Sequence, residues 1–458
     1  PKASKELLSF INSNHQVTVI AAKTEWGGYF VTPFDEYNSI FLWKVDPFEF
    51  IPSILEFPTL PLPDFTTENG NRIWFSHIDG DGFVNRHDKS GKFAAEVLYE
   101  EIFTKYDLPF SESIIEAEIA PYGIYPKDSK EALKVADKIF QLKNIELASH
   151  SFSHPFDWVD PKHPRLPVKN SPFSYEREIE GSLQFLAKRS HRKANLLFWT
   201  GACNPSKETL AYVNQKGILT INGQDTCIMN SRKFLFYIAP LGIYKGDYFQ
   251  VYGQIANENI FTDLWKHKVG YIKAIQTIKL TEEPRRLKPI DVYYHNYSGA
   301  YKASLYALKK VIDYSIKQDI VPMFTSDWIK IAHDFEDSYL IKDLDGNLIF
   351  KNHGDLRTLK IEGKHHLDIS KSKGVIGYIF QKGYTYISLD DGMYHKIIFG
   401  KHEAPYLIRA NKRLLSFHDN LYRFDSRFGE LKVELYMPQG CQYDKDKTEV
   451  RVHCATAQ

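Results

Sequence analysis

The sequence predicts an α/β fold, parallel strands with helices outside, followed by a small all-β, sandwich-like segment. Three observations lead there. Between Asn71 and Asp337 strand-like and helix-like stretches alternate, the mark of strand–helix–strand units. Polar residues collect at the carboxyl ends of those strands, where barrels and open α/β sheets carry their sites. After Ser338 short strands succeed one another at turn spacing with no long helix, as in a sandwich.

Residues 1–70 read as an N-terminal segment with a linker. SKELLSFI has a helical pattern, and QVTVIAA and SIFLWKV are strand-like. FPTLPLPDFTTENG carries Pro58, Pro61 and Pro63, which neither a helix interior nor a central strand accepts. From 71 to 337, RIWFSHID is a strand and FAAEVLYEEIF an amphipathic helix. SKEALKVADKIFQL is a second helix, with Ser129 expected as N-cap and Glu131 in its first turn. IELASH, ANLLFWT, ILTING, DVYYHNY and IVPMFT follow as strands, separated by the helices SYEREIEGSLQFLAKRS, ETLAYVNQKG and YKASLYALKKVIDYSIKQD. From 338 to 458 the strands are GNLIF, TLKIEG, GVIGYIF, TYISLDDG, YLIRA, LLSFHD, LKVELYM and EVRVH. The chain has no internal repeat and no low-complexity tract.

Hydrophobic residues are 43% of the chain and charged residues 25%, values of a protein that buries a core. A net charge of +1 gives no electrostatic basis for nucleic-acid binding or a polybasic membrane anchor. No apolar run is long enough to span a membrane. Aromatics at 14% fit a core and also fit stacking on sugar faces. The chain opens at Pro1 without an initiator Met or signal peptide, which reads as a fragment or processed product whose targeting segment lay upstream. Of the four cysteines, Cys441 and Cys454 flank a hairpin-like segment that would bring them together, which permits a disulfide. Cys203 and Cys227 read as buried thiols.

Two motifs carry chemistry. In FSHIDGDGF, residues 75–83, Asp79 and Asp81 follow a strand with one glycine between them, a spacing that lets one carboxylate bind a metal and the other stay free as a base. Phe83 stands where a calcium loop needs an oxygen ligand, so an EF-hand is excluded. In ELASHSFSHPFDW, residues 146–158, His150 and His154 are spaced i, i+4 and would face one point on a helical turn. Two imidazoles and a carboxylate are the ligand set of a hydrolytic zinc or similar ion. LDDG at 389–392 reads as a turn, and His365 and His366 would point to opposite faces of a strand.

Together these motifs resemble the NodB-homology polysaccharide deacetylases. Longer blocks sharpen the resemblance to the PelA-like members, which act on an N-acetylgalactosamine-rich biofilm exopolysaccharide. These blocks are PDFTTENGNRIWFSHIDGDGF, IIEAEIAPYGIYP, ELASHSFSHPFDW, FWTGACNPS and YYHNYSGAYKASLYALKKV, within residues 17–330. The resemblance implies a partial (β/α) barrel at 71–337. It implies one divalent metal, zinc first and otherwise cobalt, nickel or iron, on Asp81, His150 and His154. It makes Asp79 the general base and His295 the acid that protonates the leaving amine. It implies an acetylated polysaccharide substrate, polysaccharide export or synthase proteins as partners, and a periplasmic or extracellular location. FWTGACNPS lacks the arginine that orients the base in many relatives, so Asn204 or a backbone group would have to serve. Asp225, in NGQDT, is expected as the partner of the acid histidine. Trp158, Trp199 and Tyr297, with Phe156 and Tyr294 near them, are candidates to pave a sugar groove. The alternative reading is an inactive carbohydrate-binding or scaffold protein on the same fold, which would usually have lost one of the five key residues. A glycoside hydrolase would need two carboxylates set across a cleft and would leave the histidines without a role.

Overall fold

A computed structural model of the protein describes residues 5–31, 36–37, 40–41, 45–160 and 165–454. Its centre is a curled parallel sheet. Six strands run in the order Leu219–Ile221, Leu196–Phe198, Ile145–Ser149, Phe110–Ile114, His77–Asp79 and Tyr294–His295, and every pairing among them is parallel. The central run breaks at Ser76. Its first half, Asn71–Phe75, lies between Ile290–Asp291 and Ile320–Pro322, again in parallel. Ser76 spans the break by donating its hydroxyl to the Val292 carbonyl and accepting the Ser111 amide.

The strands are short and buried on both faces, as in sheets covered by helices. Helix Ser129–Phe140 shows how the cover is built: Ala132, Val135, Ala136, Ile139 and Phe140 are buried, the i, i+3, i+4, i+7, i+8 stripe of a helix on a sheet. Its N-cap is Asp128. Ser129, expected there, lies one residue inside and donates its hydroxyl to the Ile119 carbonyl.

Beyond Ser338 the expected β strands are present. A six-stranded sheet and a four-stranded sheet enclose an apolar cluster of Ile376, Leu407, Leu414, Tyr422, Phe424 and Val452. Cys441 and Cys454 pair directly across the closing hairpin and are disulfide-bonded. Cys227 is buried and Cys203 only partly so.

The N-terminal reading needs two corrections. SKELLSFI is not helical: Lys5–Ile11 is a strand, antiparallel to Val17–Thr24. Eight residues are too few to hold an isolated helix, and the β-branched VTVI partner supplies a ladder instead. Within SIFLWKV the expected strand is present at Ile40–Phe41, and 39 and 42–44 lie outside the described residues. Within the Pro-rich stretch, Leu62–Pro63 is the edge strand of the C-terminal six-stranded sheet, a position where a proline costs no ladder bond.

Candidate active site

Asp79 closes the first central strand, and His295 sits directly opposite it on the neighbouring parallel strand. Asp81 follows one residue beyond Gly80. The loop is glycine-dependent. A Cβ on Gly80 would stand 2.8 Å from the Ile115 nitrogen and 3.2 Å from the His150 Cβ. Gly82, at φ +79°, would place one 2.7 Å from the Tyr297 Cβ. Only glycine lets the acidic loop lie so close to the strand ends that carry the histidines.

His150 and His154 leave the end of strand Ile145–Ser149 on a loop, not on the expected helical turn. Ser151 at φ 64° and His154 at φ 50° fold the chain back, and the Ser151 hydroxyl accepts the His154 amide at 2.9 Å. The two rings still meet, centroids 5.1 Å apart. Both Nε2 atoms come within 3.1 Å of the Asp81 carboxylate, and ligand atoms from the three side chains all lie within 4.8 Å of one another. Asp81 Oδ2 is buried without a hydrogen bond, so the close approach of His150 is not one. A carboxylate and two imidazoles converging without hydrogen-bonding each other through that oxygen fit a divalent cation. Burial pushes the Asp81 carboxyl up, but the His154 and His150 rings beside it hold it well below the usual carboxylate range.

Asp79 is buried and held by two donors. Asn222 Nδ2 reaches its two oxygens at 3.1 and 3.2 Å, and the Tyr293 hydroxyl donates at 2.6 Å. Neither donor was expected from sequence. Asn204 instead accepts the Trp158 amide at 3.1 Å and donates to Asp157, pinning the histidine loop and leaving Asp79 to others. His150 Nδ1 and His295 Nε2 each stand 3.7 Å from an Asp79 oxygen.

The partner of His295 is Glu258, not Asp225. Glu258 Oε2 lies 3.0 Å from His295 Nδ1, and Oε1 accepts the His295 amide at 2.8 Å and the Ser298 hydroxyl at 2.7 Å. Burial lowers the affinity of the ring for a proton, but Glu258 outweighs it and raises His295 to about 9. Asp225 is half-buried near Gly253, and burial lifts its carboxyl to about 7. Glu258 begins the short helix Glu258–Phe261, in a stretch with no strand or motif pattern. Its only sequence signal is the N-cap residue Asn257 before it.

Trp158 and Trp199 are fully buried, edge to face at 5.0 Å in a cluster with Ile179, Leu183 and Leu197. They carry the loop rather than a sugar, because the loop folds back over strand Leu196–Phe198. Tyr294 is likewise in the core. Phe156, 53% exposed, is the aromatic this loop leaves at the surface. Tyr297 stacks on the His295 ring at 4.6 Å, and Trp265 meets it edge-on at 5.0 Å. Trp265 ends three successive residues of positive φ, Asp263, Leu264 and Trp265. Runs of that kind are costly and concentrate at functional sites. The LDDG segment is a turn in which Asp390 accepts the Gly392 amide. His365 and His366 follow the strand Thr358–Glu362 instead of lying on it.

No family model matches the chain, and no curated protein matches it. Among solved structures, BA3943 from Bacillus anthracis, a CE4 family pseudoenzyme, is 11% identical with a TM-score of 0.33, covering 70% of this chain and 88% of its own. The peptidoglycan deacetylase PdaC from Bacillus subtilis is 12% identical with a TM-score of 0.31, covering 59% and 96%. A T48 deacetylase solved with substrate is 13% identical with a TM-score of 0.30, covering 58% and 92%. Likeness this loose transfers neither a site nor an activity to this chain.

Proposed function

We propose that this protein is a metal-dependent N-deacetylase of an exported N-acetylhexosamine polysaccharide, and more narrowly of a Pel-type, N-acetylgalactosamine-rich polymer. The observation that supports it is the meeting of the Asp81–His150–His154 cluster with Asp79 and the Glu258–His295 pair at one end of the parallel sheet. Residues 71–337 carry the chemistry in this reading, and 338–458 is a β-rich appendage.

Asp81, His150 and His154 would hold the cation. When bound, the cation supplies an activated water and polarises the acetyl carbonyl. Asp79, with its carboxylate fixed by Asn222 and Tyr293, takes the proton that the attacking water gives up. His295, charged at neutral pH through Glu258, gives a proton to the sugar nitrogen as the C–N bond breaks, leaving acetate and a free amine. An amide nitrogen leaves poorly without that proton, so acid and base must both face the reacting carbon. The Cys441–Cys454 disulfide accords with a periplasmic or extracellular setting, beside polysaccharide export or synthase proteins.

The test is acetate release from partially acetylated N-acetylgalactosamine and N-acetylglucosamine polymers, before chelation, after it, and after zinc is restored. Release that chelation abolishes and zinc restores is the expected result, with the galactosamine polymer faster. Release that survives full removal of metal would overturn the mechanism. Protein that takes up no zinc and binds polymer without releasing acetate would turn the reading to a binding protein.

A further inference from the structure

Asn222 presents its amide to Asp79, yet nothing in Asn222 alone decides which way its side chain faces. Its Nδ2 lies 3.1 and 3.2 Å from the two Asp79 oxygens and 3.1 Å from the Trp199 carbonyl. All three are acceptors. Its Oδ1 lies 2.9 Å from His77 Nε2, so this histidine nitrogen must donate. The other ring nitrogen, Nδ1, lies 2.9 Å from Asp291 Oδ1, and Asp291 Oδ2 already accepts the Gln254 amide at 2.8 Å. With Asp291 ionised, both ring nitrogens donate, and the ring is an imidazolium.

We propose that Asp291, His77 and Asn222 form a positioning relay. A buried His77 cation, anchored by Asp291, locks the Asn222 amide with its donor on Asp79 and so brings a positive charge, one residue removed, to that buried carboxylate. The inference rests on reading Asp79 as the general base. Four observations carry it. His77, Asp291 and Asn222 are all buried, so no water competes for their hydrogen bonds. Tyr293 stacks on the His77 ring at 3.9 Å, a cation–π arrangement, and the same Tyr293 donates to Asp79. Phe75 and Phe198 are the other rings against His77, at 6.2 and 5.2 Å, leaving Asp291 and Asn222 as its polar partners. Asn222 holds φ 100°, a backbone conformation rare outside glycine, at the position where its amide must turn inward. The proton affinity of His77 is in keeping: burial opposes the charge, and Asp291 and Asp79 more than restore it.

The relay is tested by nitrogen NMR of the His77 side chain in the zinc-loaded full chain at neutral pH, together with kinetics of His77→Phe and His77→Gln. The expected spectrum shows two protonated ring nitrogens. The kinetics should show kcat lowered about 10- to 100-fold in His77→Phe, with KM and zinc content unchanged. In His77→Gln part of the rate should return, because a glutamine amide can still donate to Asn222 Oδ1. A singly protonated His77 in the wild-type chain overturns the relay, whether or not the variants fold. Equal losses in both variants that track lost zinc or a lowered Tm also overturn it. Should the wild-type chain release no acetate from any polymer, the deacetylase reading falls, while the spectrum still decides the charge of His77.

Discussion

His295 meets Glu258 through both its backbone amide and its ring Nδ1, so one buried carboxylate fixes the rotamer and the charge of the ring together. Because Glu258 raises His295 to about 9, the proposed acid is charged at neutral pH, and the rate should fall as pH rises through about 9. Glu258→Gln removes the opposing charge, so the alkaline limb of the pH–kcat profile should move to lower pH. A limb that stays in place would show that some other group sets it. The residues legible from sequence were those whose motif is local. Asp79, Asp81, His150 and His154 each sit within a few residues of a strand end, and His295 stands in YYHNYSG. Glu258, Asn222 and Tyr293 were missed because their roles depend on contacts across 143 to 214 residues of chain or on an unpatterned stretch. The buried indoles of Trp158 and Trp199 show the converse: nearness to a motif in sequence does not tell a wall of the core from a wall of the groove.

At the scale of the element, parallel pairing does the assembling. The register that puts His295 beside Asp79 and Ser149 beside Leu197 delivers the proposed acid, the proposed base and the histidine loop to the same end of the sheet, and a slip of one residue would turn each to the opposite face. The alternation of strand and helix in 71–337 was readable because each unit repeats one hydrophobic period. Residues 5–11 were misread because a short amphipathic run fits both periods until its partner strand is known. Gly80 is a tight point of this assembly. Gly80→Ala should cost about 1–3 kcal/mol of stability through overpacking and weaken metal binding by pushing against His150. Thermal unfolding with metal titration checks both, and an unchanged Tm with full affinity would show that the loop has slack.

At the scale of the molecule, one apolar cluster joins the parallel sheet to the β-rich segment. Ile73, Phe75, Val321, Met323 and Trp328 pack with Phe350, Leu359, Ile387 and Leu389. Asp334, at the end of helix Thr325–Asp337, accepts the backbone amides of His353, Asp355 and Leu356. A chain cut after Ser338 would expose this surface, so it should aggregate or unfold, whereas the intact chain should melt as one transition. Trp328→Ala should cost about 3–5 kcal/mol and be felt in both parts together. Two separate transitions in calorimetry would show the two parts to be independent.

The division of labour between the two aspartates is where the proposed chemistry is most exposed to a single measurement: metal content and acetate release in Asp79→Asn and Asp81→Asn. Asp79→Asn should bind one zinc per chain, as the wild type should, and lose its rate. Asp81→Asn should lose metal and rate together. Metal lost from Asp79→Asn and kept by Asp81→Asn would reverse the two roles, and activity kept by both would remove this site from the reaction.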